Sequence, residues 1–227
     1  MSLVAPVIEE EPSTLGSQVY ADLSGLIMRG ELSPGDKLSL RSIALRLGVS
    51  MQPVRHAVDR LVADQALEVL PNRAVRVPIM TTARLEEITR IRIAIEGFAV
   101  EEAAGAWTPA DMAEIERHDG IFRRECRKRT PDLARAVMAN RDLHFSIYRA
   151  AALPSLMPII EGLWLRVGPV LNLDMRASPE RIKQGAGRCH ADMMAALERR
   201  DGKRARLALT ADISGAAEFI VSRGILP

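Results

Sequence analysis

The spacing of apolar residues in the first third of the chain predicts three short helices. A first helix is predicted over Gln18–Met28, and Gly30 lies just past its end. A second, shorter helix follows and ends at Gly48. The third begins after Ser50, whose side-chain oxygen is expected to cap it, and Pro53 lies in its first turn, where a missing N–H does no harm.

Two β-prone runs follow the third helix. They cover residues 66–70 and 74–77 and are separated by Pro71-Asn72-Arg73, so a two-stranded hairpin is predicted. Three short helices and a hairpin predict a winged helix-turn-helix domain over residues 17–78. Residues 1–16 carry no core pattern and are expected to form a flexible arm.

After Pro78 the apolar spacing is helical throughout. Thr82 precedes a run in which Leu85, Ile88 and Ile95 share one face. Further helices are indicated by starts at Thr108-Pro109, Thr130-Pro131, Pro154-Ser155 and Ser178-Pro179, and by a last run from about Gly202 to Ser222. The chain is therefore predicted to be mainly α, with the winged helix-turn-helix followed by an all-α six-helix bundle over residues 79–227.

Composition and charge exclude several classes of protein. The longest uncharged stretch, residues 150–160, is too short to cross a membrane. Residues 1–8 contain no Lys or Arg and run into Glu9-Glu10-Glu11, the wrong polarity for a secretory signal, so a cytoplasmic location is expected. Cys126 and Cys189 lack the close spacing of a disulfide framework or a cysteine zinc site. The net charge of +2 identifies no partner.

The predicted third helix presents residue types that contact DNA. In a helix-turn-helix, the second helix of the motif lies in the major groove, and its N-terminal side chains contact base edges. Here Ser50 begins the helix, Gln52 suits adenine and Arg55 suits guanine. Phosphate contacts are expected from Arg41, Arg46, Arg73 and Arg76. The alternatives are that these arginines form an ordinary solvated face, or that the winged helix binds another protein.

The four histidines fall into two pairs. His56 lies on the exposed side of the third helix and His118 lies among charged residues, so both are expected to be exposed. His144 and His190 lie on two different predicted helices of the bundle and are expected to face its interior.

Two further polar residues complete a candidate metal site around the inward-facing pair. Asn140 and His144 lie four residues apart on one helix face, and Asp212 lies on the inward stripe of the last helix. With His190, this set suits a divalent ion such as zinc, nickel, manganese or iron. The alternative is that both histidines are ordinary core residues and that Asp212 pairs with an arginine such as Arg92.

Several short motifs of the N-terminal domain occur together at characteristic spacing. They are residues 30–38 with the sequence GELSPGDKL, Ile43-Ala44, Leu47-Gly48-Val49-Ser50, and Pro53-Val54-Arg55 followed by Ala57. This arrangement resembles the DNA-binding domain of GntR-superfamily transcription regulators, which implies binding to an operator in double-stranded DNA. Met51 departs from the arginine, and Ala74 from the glycine, that the family usually has at these positions, so the operator sequence is not implied.

A looser set of motifs extends through the predicted bundle. They are Arg92-Ile93-Ala94-Ile95-Glu96, Asn140 with His144-Phe145, and His190 with Ala195-Ala196-Leu197 and Asp201. They resemble the FCD ligand-binding domain of the FadR-type GntR subgroup, whose metal-binding members use an aspartate and three histidines. Here Asn140 stands at the aspartate position and Asp212 at that of the last histidine, so the resemblance implies a divalent metal of undetermined identity and no organic cofactor.

Arg92 is the leading candidate for binding an effector. It faces inward in the helical pattern, where a charge is costly unless it is paired. A small carboxylate effector would accept two hydrogen bonds from Arg92 while another oxygen completes the coordination of the metal. The alternative is a salt bridge from Arg92 to Glu96 or Asp212. Arg166 is a second effector-binding candidate.

These features predict a ligand-responsive, DNA-binding transcription regulator that acts as a homodimer on a two-fold operator. Two other hypotheses stay open: a metal-dependent enzyme built in the bundle, and a sensor that has lost DNA binding. An enzyme is not expected, because the spacing places no nucleophile or general base beside His144 and His190.

Overall fold

The computed structural model describes residues 15–177 and 186–227, with side chains for all of these except residues 172–177. Residues 1–14, most of the predicted arm, lie outside the described residues, as does the helix start predicted at Ser178-Pro179. Within the described residues the chain is mainly α, with a winged helix-turn-helix followed by a helical bundle, as the sequence predicts. None of the described helices is both long and apolar enough to span a lipid bilayer.

Helices and a small sheet form the N-terminal domain. Its elements are α1 (Leu15–Met28), β1 (Lys37–Leu38), α2 (Leu40–Leu47), α3 (Met51–Ala63), β2 (Glu68–Val69) and β3 (Val75–Arg76). The sheet is antiparallel in the order β1-β3-β2, so β3 pairs with both other strands. The sequence predicted only the β2–β3 hairpin, because its two strands are neighbours joined by a local turn, whereas β1 pairs with β3 across α2 and α3 and no local turn marks that pairing.

Local signals set the ends of α2 and α3. Ser39 caps α2 by accepting a hydrogen bond from the backbone N–H of Ser42 at 3.2 Å. Gly48 ends α2 with a φ of 65°, a left-handed conformation that glycine adopts without strain. Ser50 lies at the N-cap of α3, but its side chain makes no capping hydrogen bond, so that part of the prediction is wrong.

The C-terminal domain is helical throughout its described part. Its helices are α4 (Thr82–Ala106), α5 (Pro109–Arg127), α6 (Leu133–Ala150), α7 (Met157–Ala177), α8 (Gly187–Glu198) and α9 (Gly202–Ser222). Side chains that cap a helix by accepting from the backbone N–H three residues later are those of Thr81, Thr108, Asp132 and Asp201. Helix α9 packs along α4, and α6 packs along α5.

The two domains pack together mainly through α1 and α7. A Cβ atom at Gly168 of α7 would lie 3.1 Å from Met28 Cα and 3.2 Å from the carbonyl oxygen of Ile27, so glycine permits the close approach of the helices. Leu165 of α7 is buried in the core of the winged domain. Arg141 of α6 adds a contact, with Nε 3.1 Å from the sulfur of Met28. Helices α6 and α7 therefore hold the winged domain in place.

Candidate functional site

Three of the predicted metal ligands converge inside the helical domain. His144 comes from α6, His190 from α8 and Asp212 from α9. His144 Nε2 lies 3.3 Å from one carboxylate oxygen of Asp212, and His190 Nε2 lies 4.0 Å from the other. The possible ligand atoms of the three residues all lie within 4.8 Å of one another. This is a distance range that one bound ion can bridge, since metal–ligand bonds are about 2 Å long.

The imidazole rings of this cluster are almost fully buried and short of hydrogen bonds. Both ring nitrogens of His190 and Nε2 of His144 have no hydrogen-bond partner among the described residues. The ring of Phe122 packs against that of His190, with centroids 4.7 Å apart. Burial lowers the pKa of His190 to about 4, while Asp212 and His144 act in opposite senses. His190 is therefore neutral at pH 7 and offers a lone pair.

Asp212 is the anionic member of the cluster. Its side chain is 14% exposed, more than those of the two histidines. Burial alone would raise the pKa of Asp212, but its contacts with His144 and His190 and the charge of Arg92 outweigh burial, so the pKa lies below its ordinary value. A carboxylate that is ionised at pH 7 therefore faces the two imidazole rings.

A second layer of buried residues orients His144. The hydroxyl of Tyr148, one turn along α6, lies 3.1 Å from Nδ1 of His144 and donates to Oε2 of Glu96 at 2.5 Å. Burial and the charge of Glu96 raise the pKa of Tyr148 well above its ordinary value, so the phenol keeps its proton. Glu96 also accepts a hydrogen bond from the indole N–H of Trp164 at 3.0 Å.

The single proton of the Tyr148 hydroxyl assigns the tautomer of His144. Tyr148 donates its one proton to Glu96, so the phenol oxygen is left to accept from Nδ1–H of His144. In a neutral ring with Nδ1 protonated, Nε2 carries the lone pair, and Nε2 is the atom that faces Asp212. A lone pair facing a carboxylate oxygen at this distance is repulsive, so a proton or a metal cation must lie between them.

Arg92 is buried and paired. It donates to both carboxylate oxygens of Glu96, from Nε at 2.6 Å and from a terminal nitrogen at 3.2 Å. Burial opposes the charged form, but the adjacent Glu96 outweighs it and raises the pKa of Arg92 above its ordinary value. The salt bridge to Glu96, one of the alternatives from the sequence, is thus present. Asn140 lies one turn before His144 on α6 and is half-buried.

Two residues lie elsewhere than the sequence suggested. Arg166 lies at the junction of the domains, where its Nε donates to the backbone carbonyl of Asp64 at 3.2 Å, because its face of α7 is turned towards the winged domain. His118 is buried rather than exposed, because α6 covers it and brings Asp142 Oδ2 to 3.9 Å from its Nδ1. Arg166 is therefore not part of the cluster inside the bundle.

Sequence reasoning missed the second layer. Tyr148 lies four residues after His144 on one helix, and this spacing was an available signal for a contact. Trp164 is buried in the core, and its indole N–H also bonds to Glu96, 68 positions away in the chain. A single sequence carries no spacing signal for a contact between helices so far apart.

The start of α3 forms an exposed polar surface together with parts of α2 and the hairpin. Ser50, Gln52 and Arg55 are exposed, and so are Arg41 on α2 and Arg73 between β2 and β3. None of the three arginines forms an ion pair with another described residue. Their guanidinium groups are therefore available to a polyanion.

The arginines at the tip and at the base of the hairpin differ in their contacts. Arg73 adopts a φ of 60°, and the side chain of Asn72 accepts from the N–H of Ala74 at 3.1 Å, so a local turn holds Arg73 at the tip. Arg76 was expected to contact phosphate, but its Nε donates to Glu68 on the paired strand at 2.5 Å. This ion pair links β2 and β3.

Comparisons with known proteins agree with this two-domain architecture. Residues 15–77 match the bacterial regulatory proteins of the gntR family, and residues 87–215 match the FCD domain. The chain is 34% identical over 194 residues to the HTH-type transcriptional regulator McbR of Escherichia coli (strain K12), covering 85% of this chain and 86% of McbR. It is 25% identical over 208 residues to the HTH-type transcriptional repressor RspR of the same organism, covering 91% and 89% of the two chains.

Solved structures share the fold. The structure described as E. coli McbR/YncC has a TM-score of 0.86 at 32% identity, over 93% of this chain and 99% of that chain. A GntR regulator from Rhodococcus sp. RHA1 has a TM-score of 0.74 at 20% identity, over 91% and 97% of the chains, which shows the fold alone. The chain belongs to the GntR family of bacterial transcription regulators, with an N-terminal DNA-binding domain and a C-terminal FCD effector-binding domain.

Proposed function

We propose that this regulator binds a divalent metal and a small carboxylate effector inside its FCD domain, and that it binds a two-fold operator as a homodimer in the cytoplasm. The observation that carries the proposal is the pair formed by His144 Nε2 and the Asp212 carboxylate, which face each other at 3.3 Å in the interior. A divalent cation between these two atoms would accept a lone pair from each.

The donor set fits a metal of the zinc, nickel, manganese or iron type. His144 and His190 would supply imidazole nitrogens, and Asp212 would supply a carboxylate oxygen. Asn140, one turn before His144, is the proposed fourth protein ligand. Tyr148 would hold His144 in the tautomer that coordinates through Nε2. The bound ion would supply an open coordination position for an oxygen of the effector.

The effector site that we propose includes the buried Arg92–Glu96 pair. Glu96 shares the Tyr148 hydroxyl with His144, so the pair adjoins the metal ligands. An effector carboxylate at the metal would compete with Glu96 for the guanidinium of Arg92, because both offer the same two-oxygen geometry. Glu96 would then change its bonds to Tyr148 and Trp164, which lie on α6 and α7.

We propose that helices α6 and α7 transmit the effect of ligand binding to the DNA-binding domain. Both contact α1 of the winged domain, through Arg141 on α6 and through Leu165 and Gly168 on α7. A ligand that binds one packing of these helices more tightly than another would favour one orientation of the winged domain. The difference between the two affinities is the free energy that couples ligand binding to DNA binding.

The proposed DNA contacts lie on the exposed polar surface around the start of α3. Gln52 and Arg55 at the start of α3 would contact base edges, and Ser50, Arg41 and Arg73 would contact phosphates.

We propose that the homodimer forms through the face of α4 that carries Ile91 and Phe98. These two residues are seven positions apart on the helix, and they are 39% and 44% exposed.

Metal analysis of protein purified without chelator tests the proposal. We expect about one equivalent of a transition metal per chain, and we expect Asp212→Ala to lose it. Asp192→Ala on the exposed face of α8 is the matched control and should keep it. Equal metal contents in the wild type and in Asp212→Ala would contradict the proposed site.

A further inference from the structure

A cavity lies between the two domains, away from the histidine cluster. It has a volume of about 440 Å³ and is lined by the start of the hairpin, the linker and the helical domain, including Glu68, Val69, Met80, Arg84 and Arg166. This volume lies within the range of small-molecule sites, about 300–1,000 Å³. None of the described residues that line it belongs to the cluster of His144, His190 and Asp212.

Two guanidinium groups from different helices line this cavity. Arg84, in the first turn of α4, donates to Gln65 Oε1 at 2.9 Å and to Glu87 Oε2 at 2.8 Å. Arg166, on α7, donates through Nε to the backbone carbonyl of Asp64 at 3.2 Å. Arg84 thus has a carboxylate partner and Arg166 has a neutral one.

Arg166 has hydrogen-bonding capacity to spare. Among the described residues it forms no ion pair, and its two terminal nitrogens make no hydrogen bond. Partial burial and the neighbouring positive charge of Arg84 lower the pKa of Arg166 below its ordinary value, although Asp64 and Glu87 oppose this. Glu68 also lines the cavity, but its charge is compensated by Arg76 at 2.5 Å. An anion would relieve the repulsion between Arg84 and Arg166.

We propose that this interdomain cavity, hereafter the Arg84–Arg166 cleft, binds a small oxyanion, namely a carboxylate or phosphate group of a metabolite. The planar guanidinium group of Arg166 would donate its free terminal N–H groups to two oxygens of the anion, and Arg84 would add a second positive charge. The anion would bond to these two arginines of the helical domain and would lie against residues of the winged domain that line the cavity, such as Gln65 and Leu67. It would therefore fix the relative orientation of the two domains independently of any ligand in the FCD interior.

Isothermal titration calorimetry on the full chain, stripped of metal with a chelator, tests the proposal. The probes are inorganic phosphate and citrate at up to about 10 mM, enough to detect millimolar affinity. We expect at least one of them to bind, and the tighter of the two identifies the preferred anion. Arg166→Gln and Arg84→Gln should each weaken binding about tenfold, which corresponds to about 1.4 kcal/mol.

Two controls separate the Arg84–Arg166 cleft from other sites. Arg90→Gln removes an exposed charge from α4 and should leave binding unchanged. Asp212→Ala alters the FCD interior and should also leave it unchanged, so failure of the proposed metal site does not affect this test. The proposal is overturned if neither probe binds, or if both Arg84→Gln and Arg166→Gln bind as tightly as the wild type. Loss of binding in Asp212→Ala would likewise overturn it, because the anion would then lie in the FCD interior.

Discussion

Trp164 and Leu165 are consecutive residues of α7 that lie in the cores of different domains. Trp164 packs in the core of the helical domain and donates to Glu96, whereas Leu165 packs in the core of the winged domain. Because neighbouring side chains on a helix point in directions about 100° apart, one helix can serve both cores at once. Helix α7 therefore connects the hydrogen bonds of Glu96 directly to the core of the DNA-binding domain.

The contact between α7 and α1 is expected to control this coupling. Gly168→Ala would place a Cβ 3.1 Å from Met28 Cα, which pushes the helices apart by a few tenths of an ångström. We expect the variant to lose about 1 kcal/mol of unfolding free energy and to show a smaller effect of metal and effector on DNA affinity. The measurements are urea unfolding and DNA binding with and without metal.

Gly162→Ala is the matched control for this prediction. It lies on the same helix, but a Cβ there would meet nothing within 4 Å. Alanine should stabilise the helix by up to about 1 kcal/mol through its higher helix propensity, with coupling unchanged. Equal behaviour of the two alanine variants would show that the close approach at Gly168 carries no coupling.

The hydroxyl of Tyr148 is expected to control metal affinity. Tyr148→Phe removes the acceptor for Nδ1–H of His144, so the ring loses the partner that selects its tautomer. We expect metal affinity to fall about 10–100-fold, as measured by competition with a fluorescent chelator. Tyr20→Phe removes a hydroxyl that donates to Asp64 in the winged domain and should leave metal affinity unchanged. Unchanged affinity in Tyr148→Phe would refute the assigned tautomer.

Stability of the metal-free protein is expected to depend on pH through His190. The pKa of His190 is about 4 in the folded chain and 6.5 ordinarily, so between these values the unfolded chain binds a proton that the folded chain does not. The free energy of unfolding is therefore highest above pH 6.5 and falls as the pH drops towards 4, by an amount on the order of 3 kcal/mol. The lowered pKa of Asp212 adds a loss at still lower pH.

Urea unfolding in the presence of chelator, repeated between pH 4 and pH 7, measures this dependence. His190→Gln should flatten the profile, because the titrating group is gone. His56→Gln changes an exposed histidine on α3 and should keep the profile of the wild type. A profile in His190→Gln as steep as that of the wild type would assign the pH dependence to other groups.

Helix periodicity and turn residues allowed most of the secondary structure to be predicted. The helix end at Gly48 and the hairpin turn around Arg73 could be predicted, because each depends on the backbone conformation of a few neighbouring residues. The buried network around Glu96 could not be predicted, because it depends on how α4, α6 and α7 pack in three dimensions. The same limit explains Arg166, whose direction depends on where the winged domain lies on α7.

Dimerisation is expected to use the exposed apolar face of α4. Phe98→Arg places a charge beside Ile91 on that face, and an unpaired charge in an apolar interface opposes association. We expect the variant to be monomeric by light scattering at concentrations where the wild type is a dimer. Ile159→Arg replaces another exposed apolar residue, on α7, and should stay dimeric. A dimeric Phe98→Arg variant would place the interface elsewhere.

Specific DNA binding through Arg55 is tested most directly by fluorescence anisotropy with labelled DNA from the region flanking the gene of this protein. We expect specific, salt-sensitive binding, weakened by about 1–3 kcal/mol in Arg55→Ala and unchanged in Arg90→Ala. Absence of binding at low salt, or an Arg55→Ala variant that binds as tightly and as selectively as the wild type, would contradict the assignment of α3 as the DNA-recognition helix.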